Sequence, residues 1–150
     1  MKAPASALVV DAAVLIAAAR GRSSGAVLAA ARAAALVTTD RVVAEARRRI
    51  DLGLKRPDLH PIVDALIAEM TVVPVAALSA LLPQAEIVLR DAAASRNGSI
   101  NDAHVLALAW SLDADVWTTD RDFAGTGVAS WSTPNLIRGL AEAAKGGDRM

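Results

Sequence analysis

Cysteine is absent from this 150-residue chain, which removes disulfides, thiolate metal sites and cysteine nucleophiles. Tyrosine is absent too, Phe occurs once, and aromatics are 3% of the residues, which argues against an aromatic platform for stacking bases. Net charge is lacking: 16 Lys and Arg offset 16 Asp and Glu, so any contact with nucleic acid has to be local. No apolar run approaches the roughly 18 residues of a membrane span. Lys2, the apolar residues after it and Ala17-Ala18-Ala19 imitate a secretory leader, but Asp11 falls inside its apolar region and opposes that reading. A soluble cytoplasmic protein without a membrane partner is the expectation. What the chain does have is 54% hydrophobic residues, many of them alanine, enough for the core of one domain and too many for disorder.

Short β-like runs alternate with helical ones. Ala7-Leu8-Val9-Val10 is a continuous apolar run ending in Asp11 and reads as a buried strand. Leu36 to Thr39, Thr71 to Val75, Asp115 to Thr119 and Val128 to Trp131 read as four more, with Pro74 placing the third at an edge or at its own end. Helices are predicted from about Val14 to Ala19, Val27 to Ala35, after Asp40 as N-cap to Arg49 or beyond, and over Leu59 to Met70. Others run from about Pro83 to Asn97-Gly98, from Ala103 to Leu112 and from Pro134 to Ala144. The expected fold is a three-layer α/β/α sandwich around a mainly parallel, roughly five-stranded sheet. It forms a single domain over 1–145, with 146–150 as a polar C-terminal tail.

In such sheets ligands bind outside the carboxyl ends of the strands, and two predicted strand ends carry acids, Asp11 and Asp120. A carboxylate delivered by a buried strand is costly unless a cation meets it. Arg20 is about two helical turns from Asp11, and Arg121, beside Asp120, points elsewhere if extended. A divalent cation resolves the repulsion among converging carboxylates, with Mg²⁺ suited to oxygen ligands and Mn²⁺ to the same set.

The arrangement resembles a known family. Val9-Val10-Asp11 followed by Val14-Leu15-Ile16 is similar to the opening of PIN domains, and Glu45 within Val42 to Arg47 resembles their helical Glu after strand two. Ser99-Ile100-Asn101-Asp102-Ala103 resembles the third acidic motif. Val116-Trp117-Thr118-Thr119-Asp120-Arg121-Asp122-Phe123 resembles the fourth, and the likeness, in family order, spans nearly the whole chain. It implies a metal-dependent endoribonuclease and, at this size, the toxin of a toxin–antitoxin pair of the VapC type. By that resemblance Asp11, Asp102 and Asp120 hold Mg²⁺ or Mn²⁺, and Glu45 orients or deprotonates the attacking water. Asp122 and Arg47 are additional candidates, the latter as a phosphate contact. RNA is the implied substrate, a small antitoxin the implied partner, and a homodimer the implied assembly. The helices before and after Gly53 to Pro57 are the expected region for meeting the antitoxin.

One departure favours an alternative. PIN domains usually carry Ser, Thr or Asn two residues after the first Asp, and often Thr directly after it, whereas this chain has Ala12 and Ala13. Losing such a partner typically costs ~10–100-fold in metal affinity or activity. A catalytically weakened PIN-like module that binds RNA or protein is therefore the competing reading, unless Ser6 or Ser99 compensates in space. Each acid also has an ordinary explanation. Glu45 and Arg49 have the spacing of a helix ion pair, Ser99 and Asp102 that of a capping box, and Asp120 and Asp122 can cap a turn. The other aspartates, Asp115 included, read as caps and solvated surface. Receiver domains need a tighter acidic pair, haloacid-dehalogenase phosphatases need Asp where Ala13 stands, and no Gly-rich phosphate loop is present.

Overall fold

A computed structural model describes residues 3–22, 24–96, 102–119, 123 and 126–148. The strands are β1 (Ala7–Val10), β2 (Ala35–Thr39), β3 (Thr71–Val73), β4 (Asp115–Trp117) and β5 (Ser130–Trp131). The α-helices are α1 (Ala12–Ala19), α2 (Ser24–Ala33), α3 (Asp40–Arg48), α4 (His60–Ile67), α5 (Leu82–Arg96), α6 (Ala103–Leu112) and α7 (Thr133–Asp148). The strands form one five-stranded sheet in the order β3-β2-β1-β4-β5 with every neighbouring pair parallel. Successive strand residues face opposite sides. Leu8, Val9 and Val10 are all fully buried, so both faces of the central strand are covered. This is the expected helix–sheet–helix layering.

The chain starts in the middle of the sheet, builds outward through β2 and β3, then crosses to the other side of β1 for β4 and β5. That reversal puts a switch point between β1 and β4, the place where open α/β sheets generally bind ligands, at the carboxyl ends of the strands. Helix α6 packs on β1, β2 and β4, and its first seven residues, Ala103 to Ala109, are all buried. Its alanines keep the helix close to the sheet without forcing strain.

Several local features differ from the sequence reading. Thr39, not Asp40, is the N-cap of α3: its extended backbone lets Oγ1 accept Val42 N–H at 3.0 Å. Asp40 begins the helix, and its carboxylate accepts Val75 N–H at 2.9 Å, tying the exit of β3 to α3. After α3 the chain widens into a π-helical turn over Arg49–Leu54, which stops where Lys55 turns left-handed at φ 53°. A 3₁₀ turn over Pro57–Leu59 leads into α4, and Arg56 donates to both carboxylate oxygens of Asp58 there. Those hydrogen bonds hold the Asp58 carboxyl below its usual range; both groups are exposed, so the pair adds little to stability. Helix α7 continues through Gly146 and Gly147 to Asp148, beyond the predicted Ala144.

Asp115 is buried rather than solvated. Its Oδ2 accepts the backbone N–H of Ala5 and the indole N–H of Trp131, each at 2.9 Å. A buried carboxylate is tolerable when charge-assisted hydrogen bonds replace water. Here they pin the segment before β1 to β4 and β5. Gly139 lets α7 join this contact, because a Cβ there would stand 3.0 Å from Trp131 Cζ3 and 3.2 Å from Pro4 Cδ.

Candidate active site

Asp11 follows the last residue of β1 and serves as N-cap of α1, its Oδ1 accepting Val14 N–H at 3.0 Å. Its own N–H donates to the carbonyl of Trp117 at 3.3 Å, continuing the β1–β4 ladder. Its Oδ2 accepts the hydroxyl of Thr118, a buried residue one step past β4. The carboxylate is thus oriented at both oxygens, across the switch point.

Thr118 therefore supplies the hydrogen bond that Ala12 and Ala13 cannot. Ser6 does not provide it, and its carbonyl instead accepts Ala35 N–H at 2.8 Å. Ser99 lies outside the described residues. Thr118 belongs to a motif already visible in the sequence. Its partner, however, lies 107 residues away, a pairing that follows only from setting β4 beside β1.

The other acids come from the β2 side. Helix α3 begins at the end of β2 and carries Glu45, which is half-buried; Asp102 stands at the start of α6. Both line one cavity of about 550 Å³ with Arg41, Ala44, Arg48 and His104. The helix ion pair expected for Glu45 is present, with Arg49 Nε 3.9 Å from Oε1, at the edge of pairing distance. The capping box expected of Ser99 and Asp102 falls on Ser99, which lies outside the described residues; Asp102 itself precedes α6 and makes no side-chain cap hydrogen bond to that helix.

His104 joins these two helix starts. It is buried, and its Nδ1 lies 2.8 Å from Thr39 Oγ1. That oxygen also accepts Val42 N–H. One bond thus couples the α3 cap, and so Glu45, to the first turn of α6, and so Asp102. Beside it Thr38 Oγ1 donates to the carbonyl of Val10 at 2.8 Å, closing the β1–β2 end.

Asp120 and Asp122 lie outside the described residues. Among the described residues no three His, Asp or Glu side chains gather closely enough to hold a metal by themselves. The donors present fit a hard cation nonetheless, because Asp11, Asp102 and Glu45 offer carboxylate oxygen alone. Arg47 is placed away from the cavity. Its guanidinium bonds Asp64 and, at 3.1 Å, His60 Nδ1, while His60 Nε2 reaches Asp51 at 2.7 Å. The buried Val42, Ala46 and Ile50 set the phase of the helix, leaving Arg41 and Arg48 on the side of Glu45.

The model of one protein family, the PIN domain, matches residues 9–140, and the chain belongs to that family. Its members are generally nucleases that depend on a divalent metal. Among solved structures the chain is similar to VapBC2 from Rickettsia felis bound to a DNA fragment from their promoter. Identity there is 14% and the TM-score 0.65, covering 84% of this chain and 98% of that one. It is also similar to PAE2754 from Pyrobaculum aerophilum, at 23% identity and TM-score 0.59, covering 90% of this chain and 89% of that one. At such identities the likeness is one of fold. No curated protein matches the sequence. No helix among the described residues is long and apolar enough to cross a membrane.

Proposed function

We propose that this protein is a divalent-metal-dependent endoribonuclease and the toxin half of a toxin–antitoxin pair. The observation that carries the reading is the setting of the acids. A PIN domain presents Asp11, Glu45 and Asp102 at the carboxyl edge of its sheet, with Glu45 and Asp102 facing one cavity. Facing carboxylates repel, and a cation between them offsets that cost.

In this reading Asp11 and Asp102 hold Mg²⁺ or Mn²⁺, with Asp120 completing the set. The ion supplies positive charge to the scissile phosphate and makes water a stronger acid. Glu45 accepts the proton of the attacking water at its carboxylate, and Arg49 keeps that carboxylate turned along α3. Water oxygen bonds to phosphorus in line, the bond to the 3′ oxygen breaks, and the products are a 5′-phosphate and a 3′-hydroxyl. The competing reading, a weakened binding module, rested on Ala12 and Ala13, and the Thr118 hydrogen bond removes much of its ground.

The antitoxin part of the proposal is supported by a VapBC complex among the structures of similar fold. An apolar cavity of about 240 Å³ lined by Ile16, Arg49, Gly53 and Leu54, in the region expected to meet a partner, is a further support. Leu52, next to Gly53 in the chain, is 72% exposed and adds apolar surface in the same region. A homodimer remains part of the proposal, to be read by light scattering on the purified chain.

The test is incubation of purified protein with several structured RNAs in Mg²⁺, Mn²⁺ or EDTA. Cutting with metal only, giving 5′-phosphate ends, is expected. Asp102→Asn should lose it, with a thermal melt of the variant separating loss of the carboxylate from loss of the fold. No cutting of any RNA, together with no Mn²⁺ binding by calorimetry, overturns the reading. A finer check is Thr118→Val, which keeps shape but removes the donor to Asp11. Metal affinity or cleavage should fall ~10–100-fold, and Thr118→Ser should restore most of it. Unchanged affinity and rate in Thr118→Val would show that Asp11 needs no such anchor.

A further inference from the structure

The cavity that holds Glu45 and Asp102 is lined by two arginines that the acids do not neutralise. Arg41, Ala44, Glu45 and Arg48 share one face of α3, at spacings of three and four residues. Glu45 is within helical reach of Arg41, Arg48 and Arg49, yet its ion pair is with Arg49. Among the described residues neither Arg41 nor Arg48 forms an ion pair, and both are exposed. Arg47, next to Arg48 in the chain, is held by Asp64 and His60. Arg41 and Arg48 are two helical turns apart, about 10 Å along the axis. Glu45 stands between them, and the small Ala44 leaves the floor open.

We infer that Arg41 and Arg48 are the backbone clamp of the substrate: one binds the phosphate upstream of the scissile phosphodiester and the other the phosphate downstream. The inference rests on the nuclease reading above and deepens it. A chain with no net positive charge has no general field with which to hold a polyanion. An acidic cavity repels one further, so cations at its rim must supply the attraction. Guanidinium groups suit this place, since they match phosphate oxygens two at a time and stay charged at any working pH. A clamp on both sides of Glu45 also selects for a strand that continues past the cut in each direction, as an internal site requires. Such arginines are positioning residues, acting on binding and register rather than on the reacting atoms.

The experiment compares the unaltered protein with Arg41→Ala, Arg48→Ala, the double variant, the double lysine variant and Arg138→Ala. Arg138 is exposed on α7 and does not line the cavity. Binding of a single-stranded RNA is measured in EDTA over a salt series, and KM and kcat are measured with Mn²⁺. Each phosphate contact contributes about 0.7 to the slope of log affinity against log salt for a single strand. The double alanine variant should lose about 1.4 of that slope and raise KM about tenfold, with kcat within about twofold. Lysines at both positions should recover the slope, and Arg138→Ala should leave everything unchanged. A merely structural role would lower the melting temperature and leave the slope alone. If the unaltered protein binds and cuts RNA while the double variant keeps its KM and slope, the clamp is overturned and the nuclease reading stands. Loss of binding to a protein partner, with RNA binding intact, would overturn it in favour of a protein interface. If the unaltered protein neither binds nor cuts RNA, the nuclease reading fails and takes the clamp with it.

Discussion

Asp11→Asn is expected to remove metal-dependent cleavage while leaving the fold in place. Asparagine caps helices as well as aspartate does, so its amide oxygen can keep the Val14 N–H bond at the start of α1. Its amide nitrogen would then face Thr118, whose hydroxyl accepts as readily as it donates. What disappears is one negative charge at the switch point. If that charge holds the ion, several kcal/mol of transition-state stabilisation go with it, on the order of 10³-fold in rate. Asp11→Ala makes the comparison, because it also loses the cap, worth about 1 kcal/mol. Single-turnover cleavage, Mn²⁺ calorimetry and thermal melts on the two variants separate charge from capping. An asparagine variant that cuts at the original rate would remove Asp11 from the ligand set.

Trp117→Ala should produce the largest loss of stability of any single truncation. Trp117 is fully buried at the end of β4, and its indole N–H donates to Thr133 Oγ1 at 2.9 Å. It is paired in register with Val10 on one side and Trp131 on the other. Truncation of such a residue costs about 3–5 kcal/mol, of a domain total typically about 5–15 kcal/mol. It also strips Thr133, the first residue of α7, of that partner. The midpoint of thermal unfolding should drop by roughly 6–20 °C. Trp117→Phe keeps most of the buried area and should lose less. Denaturant titrations of both variants check the ranking, and a loss under about 1 kcal/mol for the alanine variant would show that the core collapses around the gap.

Much of the fold was legible because the central strands are short apolar runs that need no partner to be seen. Ala7 to Val10 and Leu36 to Thr39 are buried on both faces, and such strands announce themselves by composition. Pro74 marked the third strand as peripheral, and β3 does lie at the sheet edge and end one residue earlier. The widening over Arg49–Leu54 left no such trace, since Gly53 reads as a helix stop and a π-helical turn differs from an α-helix only in which carbonyl each N–H finds. The candidate site was legible as residue types in order and not as contacts. Asp115 looked like any polar residue at a strand start, and its burial depends on Trp131 and on the backbone of Ala5. In the run Arg47-Arg48-Arg49 the deciding feature is helical phase. Neighbours on a helix point about 100° apart, so one position decides between the cavity and Asp64. The spacing of Val42, Ala46 and Ile50 contained that phase, and could have shown that Arg41 and Arg48, rather than Arg47, accompany Glu45.

The bond from Thr118 to Asp11 has a consequence for synthesis. On the ribosome Asp11 is made early and its anchor 107 residues later. Until β4 emerges, the central strand has one open edge, and the segment before it lacks Asp115 to hold Ala5. A nascent chain that already displays α3 and α6 therefore still lacks the Thr118 bond to its first carboxylate. A shortened product ending before residue 118 therefore lacks the Thr118 bond to Asp11.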